Sequence, residues 1–427
     1  MANITIKNLD NAEDNAMLCA LRSRSSSPIH IHLDKVEETG SGKFMEKYYV
    51  GYGHRSISQC GTTTVHLDNI SILAAKAIEE SQLFNGQECS SRYLDFSNRE
   101  TYVDHEIIRD WLEFYTNAKE PLVAHLKFTH PNETELESVY EKNINATAFD
   151  ILRGFLPAAV TTNVSWHTTL DNLREQIDSF KFHPLKEVNE IANRLHELAI
   201  KEFPHSFKDK EMSEETMSYN TELSNFWYSD NIFADDFRSY SNIDDDLIDP
   251  IILDKRPKYA PLPKTYKFMG EFRFEFNLDY GSFRDIQRHR SCLIYQPLLT
   301  AKLGFHEWYL DQLSPELKIK ALELIERQSD KIQQLSLEID AISLQYCIPL
   351  GMKISVSMIA NLSALVYVLE LRSSPHVHPT LRELIFKMVD DVTKKLPSLK
   401  LHIDVTNKDG INTQRGSQDI TEKVITL

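Results

Sequence analysis

The chain repeats itself. DILRGFLP ends at Pro157 and SLQYCIP at Pro349, a separation of 349 − 157 = 192 residues. His183 and His376 are 376 − 183 = 193 apart, and Pro204 and Pro397 are 397 − 204 = 193 apart. Three anchors whose offsets agree within one residue constrain the fold more than any composition, because such a chain builds one unit twice. Between each histidine and its closing proline lies a helix-sized span with apolar residues at helical spacing. These are Val188, Ile191, Leu195 and Leu198 in the first copy and Leu381, Leu384, Ile385 and Met388 in the second.

A strand-to-helix unit recurs as well. Thr62–Asp68 alternates and leads into a helical stretch near Ser71; Glu271–Asp279 alternates more cleanly, with Phe272, Phe274, Phe276 and Leu278 on one face, and leads into GSFRDIQRHR. Both strands end in Leu-Asp with a serine three residues on, Ser71 and Ser282, read as helix N-caps. Matching Asp68 with Asp279 gives an offset of 279 − 68 = 211, so the first copy is expected to carry 211 − 192 = 19 extra residues between the two sets of anchors. The boundary is expected near residue 215, giving repeats 1–215 and 216–427. Residues 205–225 read as a solvated linker or helix, and residues 242–264, with an acidic run at Asp244–Asp246 and several prolines, as an extended arm with a solvated acidic loop.

Charge and cysteines narrow the function. Lys and Arg number 47 against 63 Asp and Glu, a net charge of −16 that opposes indiscriminate binding to nucleic acid or anionic lipid. Any phosphate site must therefore be local. The N-terminus has no basic segment followed by an apolar run, and no stretch is apolar for long enough to span a bilayer, so a soluble, cytoplasmic protein is expected. Cys19, Cys60, Cys89, Cys292 and Cys347 are scattered and never form C-x-x-C, which suggests reduced, mostly buried thiols. His376 and His378 lack a third ligand at metal-binding spacing, and no metal is expected.

The densest basic cluster is Arg284, Arg288, His289 and Arg290. In an acidic protein, guanidinia flanking an imidazole read as a clamp for a phosphate or an anionic cofactor. The first copy has Ala77-Ile78-Glu79 at the positions of Arg288-His289-Arg290 or, one register later, Glu80-Ser81-Gln82. It has instead Glu88, Ser90 and Arg92, to which the second copy offers only Gln296-Pro297-Leu298-Leu299. The losses are complementary, as they would be if both copies formed one shared site.

Arg288-His289-Arg290 in one copy and Ser90-Ser91-Arg92-Tyr93 in the other resemble the two ends of the R-H-R, seven residues, S signature of the flavin-dependent thymidylate synthases, here split between repeats. Gly53-His54-Arg55-Ser56 resembles that family's segment contacting FAD, with Gln59 and Cys60 where glutamate and histidine are common. The resemblance assigns Arg153 to nucleotide binding, Asn361 to the flavin and Arg372 to the pyrimidine. At these positions the first copy has Thr169 for Asn361 and Ser179 for Arg372, and the second has Gln345 for Arg153. Ser363 stands where the family has a flavin-contacting arginine.

The resemblance implies an α+β fold in each repeat, a β-sheet packed with helices, and a homodimer imitating the family's tetramer. It implies methylation of dUMP to dTMP with methylenetetrahydrofolate as carbon donor, NADPH as reductant and FAD as cofactor, without nucleic acid or membrane. Arg372 is the expected catalytic residue. His54, Ser56, Gln59, Arg288, His289, Arg290 and Asn361 are expected to hold the cofactor, and Glu88, Ser90, Arg92, Arg153, Arg288 and Arg372 the substrate. Two alternatives stay open at this stage: a degenerate homologue that binds flavin or nucleotide without turnover, and a flavoenzyme that modifies another pyrimidine nucleotide.

Overall fold

Among the described residues seven strands form, most of them from segments rich in β-branched or aromatic residues. They are β1 (Thr62–Ser71), β2 (Asn85–Glu88), β3 (Thr161–Thr169), β4 (Phe237–Ser241), β5 (Glu271–Asp279), β6 (Leu293–Tyr295) and β7 (Lys353–Asn361). The structure is a computed structural model that describes residues 9–132, 136–207 and 212–406. Residues 1–8, read for a targeting signal, and 208–211, read as linker, lie outside the described residues. One sheet has the order β1-β3-β2 and the other β4-β5-β7-β6. Without β4 the second order repeats the first, so the α+β tandem duplication is visible in the topology.

The helices repeat too. Leu170–Phe180 matches Leu362–Arg372, and Lys186–Glu202 matches Pro379–Lys395, at offsets of 362 − 170 = 192 and 379 − 186 = 193. Early in each copy the offset differs from expectation. The helices Ile72–Glu79 and Tyr280–Gln287 begin 280 − 72 = 208 residues apart. Backbone bonding fixes that register. Ile72 N–H bonds Val160 O and Leu73 N–H bonds Ala158 O, while Tyr280 N–H bonds Met352 O and Gly281 N–H bonds Leu350 O.

Asp279 therefore corresponds to Ser71, not to Asp68. Ser71 caps its helix through Ala74 N–H, as expected; in the second copy the cap is Asp279, whose carboxylate accepts the Ser282 N–H at 2.9 Å. The first copy carries 208 − 192 = 16 extra residues rather than 19. The Leu-Asp match misled because it paired similar letters instead of the residues at which strand turns to helix.

The described residues gather into two compact units, each discontinuous in sequence. The first draws on Met1–Asp68, Ala77–Glu88 and Asn163–Trp227; the second on Asn69–Lys76, Cys89–Thr162 and Tyr228–Leu427. In the first unit Val188 and Leu195 are buried with Ala192 and Ala199, while Leu198, expected in the core, is exposed. In the second, Phe272, Phe274, Phe276 and Leu278 are all fully buried, each worth about 1.5–3 kcal/mol of transfer free energy. Leu381, Leu384, Ile385 and Met388 pack in that unit's core.

The segment expected as an extended arm is pinned down. Arg256 forms a buried ion pair with Glu370, which also accepts the Tyr259 and His402 backbone N–H groups. Asp245, expected to be solvated, is half-buried and accepts from both the backbone and the hydroxyl of Ser398. The thiols also depart from expectation: Cys292 and Cys347 are buried, but Cys19 and Cys60 are exposed.

At the centre of the second unit, Pro157 faces Pro349 across an isolated antiparallel bridge. Four backbone bonds surround it. Ala158 N–H bonds Ile348 O and Leu350 N–H bonds Leu156 O, both at 2.9 Å; Ala159 N–H bonds Tyr346 O at 3.1 Å and Gly351 N–H bonds Gly154 O at 2.7 Å. A shift of 192 residues exchanges the members of each pair, so the two copies meet here about a local two-fold axis.

Asp279 joins this centre to the second-copy helix, since its carboxylate also accepts the Tyr309 hydroxyl at 2.7 Å with both side chains fully buried. Asp279→Ala removes a cap and strands a buried phenol, so urea unfolding should show a loss of about 3 kcal/mol. Asp244→Ala, at an exposed turn cap, should cost less than about 1 kcal/mol in the same measurement.

Candidate functional site

The register 208 decides which residues of the first copy oppose the basic cluster. Arg288, His289 and Arg290 correspond to Glu80, Ser81 and Gln82, Arg284 to Lys76 and Asp285 to Ala77. Measured from the matched helices, Arg372 corresponds to 372 − 192 = 180, the buried Phe180, rather than to Ser179. The cationic face thus belongs largely to the second copy.

In the second unit the cluster divides by burial. Arg284 is buried and donates to Ser91 Oγ at 2.9 Å, whereas Arg288 and Arg290 are exposed. His289 is buried and accepts at Nε2 from Arg372 Nε at 2.8 Å, so its proton sits on Nδ1. Burial, helped by the neighbouring Arg372, pushes the His289 pKa down to about 3, and the ring is neutral at physiological pH. Arg372 also donates to the backbone O of Asp285 at 2.6 Å, and its Nη1 lies 3.7 Å from that residue's carboxylate.

The first copy contributes two guanidinia to the same unit. Arg92 forks onto Asp150, Nε to Oδ1 at 2.6 Å and Nη2 to Oδ2 at 2.8 Å, and reaches His376 O at 3.3 Å. Arg153, 2% exposed, donates to Ser282 Oγ at 3.0 Å. From Ser282 a buried chain of hydroxyls runs through Thr380 Oγ1 at 2.7 Å to His378 Nδ1 at 2.8 Å. His378 Nε2 closes it by donating to Asp150 O at 3.2 Å, which fixes the tautomer with Nδ1 as acceptor. Gly281 makes room for this arrangement: a Cβ there would stand 3.3 Å from both Arg153 Nε and the Tyr309 hydroxyl. The first copy has Leu73 at that position.

Asp285 lies among these cations. Although burial opposes ionisation, Arg372, Arg92, Arg153 and Arg288 together hold its carboxyl well below the usual carboxylate range.

Several of the expected site residues do structural work. Asn361 Oδ1 accepts Ala364 N–H and caps the helix that ends at Arg372, about 16 Å away along its axis. Thr169 makes the equivalent cap in the first copy through Asn172 N–H, so capping is what the two copies share at this position. Gln345, in place of Arg153, is buried and accepts Leu299 N–H. Ser90 Oγ accepts Arg92 N–H at 3.3 Å within its turn. His376 lies three residues before its helix, which starts at Pro379, as His183 precedes the one at Lys186.

His54, Ser56, Gln59 and Glu88 belong to the first unit. His54, Ser56 and Gln59 are exposed around the short helix Arg55–Ser58, and Glu88 is buried at the end of β2. Arg55 forks onto Asp171 at 2.9 and 3.1 Å and reaches Glu175 at 2.9 Å; Gln59 also donates to Asp171. Asp171 is the first-copy counterpart of Ser363. Arg55, Asp171 and Glu175 border a cavity of about 570 Å³ lined also by Tyr49, Arg174 and Trp227, which His54, Ser56 and Gln59 do not line.

Asp150, Asp285, Ser91, Ser282 and His378 were missed from sequence. Asp150 did carry a signal, since it stands three residues before Arg153 and so on the same helical face.

Residues 6–205 match the family model of the thymidylate synthase complementing protein. A UPF0159 protein of Thermoplasma acidophilum is 24% identical over 468 residues, covering 90% of this chain and 94% of the relative. A UPF0159 protein of Chlamydia muridarum is 23% identical over 425 residues, covering 84% and 79%. Among the described residues no helix is long and apolar enough to cross a membrane.

A histidine whose folded pKa is depressed leaves the unfolded chain binding more protons, so its contribution to stability is complete above the unfolded pKa and lost as pH falls. Stability should therefore fall between about pH 6.5 and pH 3 as the unfolded His289 charges and the folded one resists. His289→Gln, which keeps an acceptor for Arg372, should flatten that slope by up to about 1.4 kcal/mol per pH unit in a urea titration series.

Proposed function

We propose that this protein, whose residues 6–205 match the thymidylate synthase complementing protein model, is an FAD-dependent methyltransferase that converts dUMP to dTMP, with methylenetetrahydrofolate as carbon donor and NADPH as reductant. The observation that carries the reading is the arginine cluster of the second unit. Arg92 and Arg153 come from the first copy, Arg288 and Arg372 from the second, and together they hold the Asp285 carboxyl well below the usual carboxylate range.

In this reading a nucleotide phosphate takes its charge complement from Arg92 and Arg153, each held in advance by its own partner, so little ordering is left for binding. Ser90 accepts a backbone N–H and keeps its own hydroxyl proton to donate to a phosphate oxygen. Glu88, in the first unit, stands two residues before Ser90 in the sequence. Arg372 lies against the pyrimidine and stabilises negative charge developing on its carbonyl. Neutral His289 fixes the Arg372 guanidinium without adding a competing positive charge.

The donor set suits an anionic flavin cofactor: Arg288 and Arg290 present exposed guanidinia beside the neutral His289. They would hold FAD, while Asn361 supports the helix that carries Arg372. Bound FAD, once reduced by NADPH, would supply the hydride for the transferred carbon. A homodimer would present these sites as an imitation of a tetramer.

Purified protein should show a flavin spectrum, alone or after reconstitution with FAD, that changes on adding dUMP. Arg372→Ala should lower dUMP-dependent NADPH oxidation by at least about a hundredfold with the thermal unfolding profile retained. A preparation that never takes up FAD would instead favour a nucleotide-binding protein without turnover.

A further inference from the structure

The two first-copy arginines are tied to each other through buried groups of the second copy. Arg153 Nη2 donates to Ser282 Oγ at 3.0 Å, Ser282 meets Thr380 Oγ1 at 2.7 Å and Thr380 meets His378 Nδ1 at 2.8 Å. His378 Nε2 donates to the Asp150 carbonyl at 3.2 Å, and the Asp150 carboxylate forks onto Arg92. The ends fix the order of the protons. Because His378 donates at Nε2, its Nδ1 accepts the Thr380 hydroxyl, Thr380 accepts the Ser282 hydroxyl, and Ser282 accepts Arg153. Ser282 also lies 3.3 Å from His378 Nδ1, the longer of that nitrogen's two contacts. Ser282, Thr380 and His378 are all buried, so bulk water does not replace a lost link.

The fold does without this chain in its other half. At offsets of 208, 192 and 193, Ser282, Asp150, His378 and Thr380 correspond to 282 − 208 = 74, 150 + 192 = 342, 378 − 193 = 185 and 380 − 193 = 187. These positions hold Ala74, Ile342, Leu185 and Glu187, and Arg153 itself has Gln345 as counterpart. The hydroxyl and imidazole chain is present where the arginine is present and absent where it is absent.

We infer that Ser282, Thr380 and His378 are positioning residues that hold Arg153 and, through Asp150, Arg92 at a fixed mutual placement for one anionic group. The inference rests on the nucleotide-binding reading and adds to it residues that act through the arginines without touching the ligand. Each link both donates and accepts, so removing a hydroxyl in the middle releases Arg153 at one end and the Asp150 carbonyl at the other. The two guanidinia must then be ordered by the ligand itself, which weakens its binding.

The test is calorimetric titration of the full chain with dUMP, with thermal unfolding as the check on each fold. Thr380→Val keeps the shape and removes the hydroxyl, Thr380→Ser restores it, and Ser282→Ala breaks the chain at its other hydroxyl with the residue the first copy has there. Thr380→Val and Ser282→Ala should each weaken dUMP binding by about tenfold, and Thr380→Ser should stay within about twofold of wild type. In an Arg153→Gln background, Thr380→Val should cost less affinity than it costs alone, because most of its effect passes through Arg153. Wild-type affinity in the folded chain variants, or losses from Thr380→Val and Arg153→Gln that simply add, would overturn the inference and leave the nucleotide reading standing. A wild-type protein that binds no dUMP brings down both.

Discussion

The antiparallel crossing of Pro157 and Pro349 constrains the rest of the second unit. Four short backbone bonds there are related in pairs by the 192-residue shift, so neither copy can move without breaking bonds made by the other. Close approach of this kind leaves no room for side chains. A Cβ on Gly154 would meet the Tyr309 ring at 2.7 Å, and one on Gly351 would meet Phe305 at 2.4 Å. The crossing delivers Arg153, one residue before Gly154, to the start of the helix Tyr280–Gln287. There Ser282, Asp279 and Tyr309 receive it.

Once two copies share a crossing, their neighbouring positions are free to diverge in opposite directions. Arg153 has room because the second copy has Gly281 where the first has Leu73, and its own counterpart Gln345 is absorbed into backbone bonding. Arg288 has Glu80 as counterpart, and burial pushes that carboxyl up to about 8, so it is largely uncharged at neutral pH. Arg372 has Phe180. The pattern is one retained cationic focus rather than two weakened ones. In the first unit, by contrast, Arg55 is committed to Asp171 and Glu175.

What could be read from sequence was what depends on local periodicity. The Phe272–Leu278 stripe and the helix after His376 declared their buried faces because strand and helix periods impose them. The repeat offset was legible late in the chain, where proline and histidine anchors mark chain direction, and was misjudged by three residues early on, where the anchor was only a Leu-Asp pair. The arginines were legible as a type of chemistry. Their partners were not: Arg92 meets Asp150 across 58 residues of sequence and Arg284 meets Ser91 across 193. Helical position brings such pairs together, but only after the tertiary fold has chosen which helices meet. Asn361 shows the converse error, since a polar residue at a strand-to-helix junction is a cap before it is a ligand.

Concentrating guanidinia in an acidic protein is an electrostatic problem with two possible solutions. Carboxylates can neutralise each cation individually, which stabilises the fold and leaves less charge for an anion, as Asp171 and Glu175 do around Arg55. Alternatively, neutral acceptors can orient the cations, as Ser282 does for Arg153 and His289 for Arg372, with carboxylates nearby rather than in direct hydrogen-bond contact. The second unit mixes the two, with Asp150 committed to Arg92 and Asp285 shared among four cations. Neutral orienting groups cost stability, because like charges stay close without direct relief, and the buried hydroxyl and imidazole chain through Thr380 and His378 offsets part of that cost by satisfying each polar atom in turn. Buried histidines that remain neutral are thus a requirement of the site: a charged imidazole at His289 or His378 would add a cation beside Arg372 or at the end of the hydroxyl chain from Arg153.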